Sequence, residues 1–281
     1  MSAATATPTT TNAHGEVGRL SFVRVLRSEW IKLRSLRSTF WTLVSVLVLI
    51  AGLSALLSAV VPDASTLGAR APAQQLADFT TRAATAGLTF APLVVAVLGV
   101  LAISGEFSTG MIRSSFAAVP HRFPVLAAKA IMLFVVSFLV GLVSFAASWS
   151  IAVPLLTAKG YKGELFSDTT MWSILGAATY LGLVAVFALG VGAILKASAG
   201  GIATALGVLF LLPIISGLLQ ALLPKQTWIA DWSHYLLSDA GAGMAGLSNG
   251  TLEPWQNILT VVIWTAVSFI VGAILLQRRD A

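Results

Sequence analysis

Cysteine is absent from the 281 residues, so disulfides, thiol nucleophiles and thiolate metal sites are excluded together. Charge is scarce: 10% of residues are Asp, Glu, Lys or Arg, against about 25% in ordinary soluble domains. His14, His121 and His234 are scattered and offer no metal-ligand spacing. No Gly-Lys pair occurs anywhere, and a phosphate-binding loop of the Walker kind needs one followed by Ser or Thr. No catalytic, cofactor-binding or metal-binding residue is expected, and no enzymatic activity within the chain. Acidic residues are missing from the middle of every long apolar run. Ion-coupled carriers place an ionisable group at such depth, where it is costly and therefore functional, so coupling to protons or sodium is disfavoured.

What is present is apolar sequence in quantity. Hydrophobic residues make up 57% of the chain, and its mean hydropathy is +0.90. Six windows reach the length of about 20 apolar residues that a spanning helix needs: 39–61, 86–105, 126–153, 171–195, 202–223 and 256–276. Together they predict an all-α membrane protein with no room for a sizeable soluble domain.

Lys and Arg set the orientation, because cytoplasmic segments retain positive charge. With the N-terminus inside, the inner segments carry twelve basic residues and the outer loops five. Both termini and the connector between the second and third windows then face the cytoplasm of a multi-pass plasma-membrane protein. A pI near 10.1 follows this sidedness; no aromatic-basic recognition module accompanies it, and nucleic acid is not an expected partner. Residues 1–19, rich in Ala and Thr, read as a disordered cytoplasmic tail, and 20–281 as one membrane domain.

Two polar segments stand out. Between Ile103 and Lys129, apolar Phe107, Met111, Ile112, Phe116 and Val119 alternate with Glu106, Arg113, His121 and Arg122, so a short helix here carries both grip and charge. Before the first window, residues 20–38 place Phe22, Val23, Leu26, Trp30, Leu33 and Leu36 on one broad arc. Arg24, Arg27 and Arg34 lie largely outside it, with Glu29 and Arg37 intruding on the apolar side. That pattern suits a helix lying in the inner membrane interface; a plain basic flank is the alternative.

These two stretches carry a family resemblance. Glu106-Phe-Ser-Thr-Gly-Met-Ile-Arg113, with His121 and Arg122 following Val119-Pro120, closely resembles the first cytoplasmic loop of ABC-2 type exporter permeases. Ser28-Glu-Trp-Ile-Lys-Leu-Arg-Ser-Leu-Arg-Ser-Thr-Phe-Trp41 resembles the start of many actinobacterial members. The resemblance implies a coupling helix between spans 2 and 3 that docks on a separate ATP-hydrolysing subunit through Glu106, Phe107, Ser108, Thr109, Met111, Ile112, Arg113 and Phe116. It further implies two copies of that ATP-binding subunit, which would hold the ATP and Mg, and a second permease, identical or related. Cargo would pass along the permease interface. The family exports antibiotics, peptides, lipids and polysaccharide precursors, and the weakly charged spans point to a hydrophobic or amphipathic cargo such as a drug, peptide or lipid. A non-transporting membrane sensor or scaffold explains the same topology.

The outer segment Pro224–Pro254 is too apolar for a solvated loop. Trp228, Trp232 and Tyr235 form either an aromatic belt or part of a re-entrant segment between spans 5 and 6. Small residues at four-residue spacing, Ala178, Gly182 and Gly190 in one window and Ser137 and Gly141 in another, mark close helix packing, within the bundle or across a dimer. Pro213 predicts a kink in the fifth span.

Overall fold

The computed structural model describes residues 21–67, 73–111, 122–161, 168–247 and 252–278. Every regular element among them is helical. In chain order they are α1 (Phe22–Ser35), α2 (Arg37–Val60), α3 (Ala73–Ala84), α4 (Ala91–Ser108), α5 (Arg122–Ala158), α6 (Asp168–Leu195), α7 (Ser198–Leu206), α8 (Leu212–Leu222), α9 (Thr227–Ser233), α10 (Leu237–Met244) and α11 (Pro254–Arg278). Six helices are long and apolar enough to cross a membrane: α2, α4, α5, α6, the continuous run Ser198–Leu222 and α11. The tail 1–19 lies outside the described residues.

The boundaries have local causes. Leu36 is extended (φ −81°, ψ 115°), which separates α1 from α2. The second span starts later than the apolar window, because Ala86–Thr89 is a 3₁₀ turn and Pro92 sits in the first turn of α4. A proline there loses nothing, since the first N–H groups of a helix have no partner within it. Helix α3 falls between two apolar windows and was not expected from them. Its ring Phe79 lies 4.9 Å from that of Tyr161, and the hydroxyl of Ser148 in α5 donates to the Ala84 carbonyl at its last residue. Within the fifth span, Gly207–Leu211 is a π-helical turn in which the Leu212 N–H reaches the Gly207 carbonyl. Pro213 follows at once; it lacks an N–H and its ring crowds the preceding turn, and the wider turn accommodates it.

Helix α6 is the centre of the bundle and packs against α4, α5 and α11. Small residues make this possible, since apolar lipid offers helices little drive to associate and close backbone approach supplies it. Gly141 of α5 lies against Ala178, Gly182 faces the Phe134 ring and Gly190 meets Ser268 of α11. A methyl group added at Gly182 would come within 2.8 Å of that ring. The small-residue pattern is thus occupied inside one chain. Hydroxyls reinforce it: Ser268 donates to the Phe187 carbonyl at 2.8 Å, and Ser104 of α4 lies 2.9 Å from Ser198 of α7.

Candidate functional site

Helix α1 is seated on the bundle by an edge that its apolar arc does not predict. Val25, Glu29 and Leu33, spaced four apart, are the buried residues of α1. Val25 packs with Val125 and Ala128 at the start of α5. Phe22, Val23, Trp30 and Leu36 of the predicted arc are exposed, as are Arg24, Arg27 and Arg34; Leu26 is half-buried and Leu33 faces the bundle. The predicted intruder Glu29 is therefore a seat.

Its partner is Lys129. The Lys129 Nζ lies 2.5 Å from Glu29 Oε2 and 2.9 Å from Glu106 Oε1. Lys32, one turn after Glu29, lies 2.9 Å from both Glu29 Oε1 and Glu106 Oε1. Among the described residues, two carboxylates and two ammonium groups alternate in this cluster. Glu29, Glu106 and Lys129 are 2%, 7% and 4% exposed, so each needs its partners: an unpaired charge at such depth is strongly destabilising. Burial works against the charge on Lys32, but hydrogen bonds to Glu29 and Glu106 outweigh it and hold its pKa above the ordinary lysine value. The cluster joins α1, the last turns of α4 and the first turns of α5 through side chains far apart in sequence.

The end of α4 has further attachments. Phe107 is half-buried, with the Lys196 ammonium 5.1 Å from its ring centroid. Lys196 turns the chain from α6 into α7 in the left-handed region (φ 54°), uncommon for a residue with a side chain. Of the residues expected to dock a partner, Glu106 points inward, Phe107 lies beneath Lys196, and Ser108, Thr109 and Met111 are exposed. Ile112, Arg113 and Phe116 lie outside the described residues. Glu29, Lys32 and Lys129 were not expected as site residues. One signal was available: Lys129 stands alone in Leu126-Ala-Ala-Lys-Ala-Ile131, and a solitary cation in an apolar run demands a partner.

At the opposite end, α9 and α10 stand between the fifth and sixth spans. Trp228 and Tyr235 are exposed and Trp232 half-buried. The Trp264 indole of α11 donates to the Tyr235 carbonyl at 2.9 Å, and Gly241 lies against the Tyr180 ring. Gly246-Leu-Ser-Asn-Gly250 has the spelling of a hydrolase nucleophile elbow. That elbow requires a strand-to-helix turn; Gly246 and Leu247 follow helix α10, and residues 248–250 lie outside the described residues. No group of His, Asp or Glu among the described residues could hold a metal ion.

Six apolar helices packed through small residues, with the ion pairs among the described residues gathered at one end, define a multi-pass membrane protein. The family profile for "ABC-2 family transporter protein" matches residues 25–214, from α1 into the fifth span. The chain belongs to this family and is a membrane permease of an ABC transporter, associated with an ATP-binding subunit. None of the curated proteins matches it.

Proposed function

We propose that the chain is the membrane-spanning half of an ATP-driven exporter, with its N- and C-termini in the cytoplasm. Two copies, or this chain and a related permease, enclose the pathway, and two ATP-binding subunits supply energy. The segment from Glu106 to Phe116 meets the ATPase. Ser108, Thr109 and Met111 provide the exposed start of that contact, and Glu106 acts from behind by holding Lys32 and Lys129. The observation that carries this reading is the ionic cluster: a push on the segment after α4 is delivered directly to α1 and α5, because all three share charges in one buried site. α1 rests its exposed Phe22, Val23 and Trp30 in the inner leaflet, with Arg24, Arg27 and Arg34 at the headgroups. The α9–α10 pair, with Trp228, Trp232 and Tyr235, closes the outer end. The cargo is hydrophobic or amphipathic, a drug, peptide or lipid.

Reconstituted vesicles test this. Cargo movement with the partner ATPase should survive a protonophore and removal of the sodium gradient, and stop with vanadate. Met111→Asp should uncouple hydrolysis from transport while the protein still inserts. Gradient-driven movement by this chain without an ATPase overturns the reading, as does full coupling in the Met111→Asp variant.

A further inference from the structure

At the end of the bundle away from the ionic cluster, a half-open cleft of about 720 Å³ lies among α3, the first turns of α6, the end of α10 and the first turn of α11. Its size falls in the range of about 300–1,000 Å³ typical of small-molecule sites. Three features define what it fits. Among the described residues no charged side chain lines it, and its polar groups include the hydroxyls of Ser173 and Thr179. The Thr179 hydroxyl proton is committed to the Leu175 carbonyl at 2.7 Å, so toward the cleft this oxygen can only accept. The mouth is framed by Trp172, Leu175 and Ile258, which are 73%, 36% and 48% exposed and belong to spanning helices. An opening framed this way is reached from the bilayer.

Glycine keeps the cleft open. Gly176 lets the Met244 backbone lie against α6, and Gly243 and Gly246 contribute wall without side chains. Gly246 is left-handed (φ 76°), a conformation that side-chain-bearing residues rarely adopt.

We propose that this cleft is a binding site for an uncharged, hydroxyl-bearing membrane lipid. The head donates its hydroxyl to Thr179 and exchanges a second hydrogen bond with Ser173, while an acyl chain runs out past Leu175 and Ile258. The proposal rests on the membrane location of the chain and is independent of export and its direction.

Nanodiscs holding the full chain and a photoactivatable diacylglycerol test it, with photoactivatable phosphatidylcholine, which has no hydroxyl to donate, in a parallel sample. Diacylglycerol should label residues 172–179 and 254–258 about fivefold more than phosphatidylcholine, the weight of roughly one hydrogen bond. Thr179→Val, which keeps the shape, should abolish that preference, whereas Leu218→Val on the exposed face of α8 should leave it unchanged. Equal labelling by the two lipids, a preference that persists in Thr179→Val, or labelling spread evenly over the exposed faces of α2, α8 and α11 would each overturn the proposal.

Discussion

Among the described residues, the two ends of the bundle are fastened by different chemistry. At the α1 end, four charges from three helices hold one another. At the α3 end, neutral donors meet backbone carbonyls: the Tyr161 hydroxyl donates to Pro62 O at 3.1 Å, Ser148 to Ala84 O, and Trp264 to Tyr235 O. Even Lys159 spends its ammonium on carbonyls there, Ala59 O and Val61 O, each at 2.6 Å. The contrast concerns how each end responds to change. A neutral bond to a carbonyl can be lost alone at modest cost. A buried charge that loses its partner destabilises everything that encloses it, so the α1 end moves as a unit while the α3 end yields piece by piece.

Breaking the cluster at its centre should have the largest effect. Lys129→Met leaves two buried carboxylates, Glu29 and Glu106, sharing the partly exposed Lys32, at a cost of about 3–5 kcal/mol. Thermal melting in detergent should show a sharp fall in the folded fraction. Adding Glu29→Gln and Glu106→Gln to that variant should recover much of the loss, because the stranded charges go with it. A single variant that melts like the parent would remove the contrast between the ends.

Lys32 should matter less, since its side chain is 31% exposed and water can replace part of what it gives. Lys32→Met is expected to cost about 1–2 kcal/mol, within the range for hydrogen bonds to charged groups after screening. The pH dependence follows from the raised pKa. The contribution of Lys32 is complete below the ordinary lysine value of 10.5 and is lost as pH climbs through the higher folded-state value. Melting followed from neutral to alkaline pH should therefore show the difference between parent and Lys32→Met holding constant and closing only at the alkaline extreme. A difference that closes near neutrality would assign the effect to another group.

The smallest change is expected at the other end. Tyr161→Phe removes one hydrogen bond and keeps the ring packed on Phe79, so it should cost about 1 kcal/mol. A loss as large as that of Lys129→Met would mean that both ends are cooperative, and the distinction between them would fall.

Much of the fold was legible because lipid imposes a length rule on sequence. The six apolar windows correspond to the six long helices, with shifts at the ends for physical reasons. α5 runs to 37 residues because hydrogen bonding continues past the point where a hydropathy window stops. α3 was missed because Ala73–Ala84 is polar and short, and its placement comes from Ser148 in α5 and Tyr161 just beyond the end of that helix. The cluster was only half legible. Glu106 drew attention through its motif, but sequence gives the positions of charges and not which of them meet. Glu29 and Lys129 are 100 positions apart, and on the helical wheel Glu29 looked like a flaw in an apolar arc. The wheel describes one helix against a uniform surface, whereas α1 leaves one side exposed and turns another toward a buried cation.

The π-turn at Gly207–Leu211 divides the fifth span into halves with different fates. Gly201 and Ala205, before the turn, are buried, and α7 packs on α4 and α6. Beyond it, α8 makes its principal contacts with the turn itself and with α9, and Ile214, Leu218 and Leu222 stand exposed. The half-span is a cantilever, clamped at its root and, among the described residues, braced beyond it chiefly by α9. Any sideways load on its tip is concentrated at the root, where Pro213 has already removed a rung from the backbone ladder.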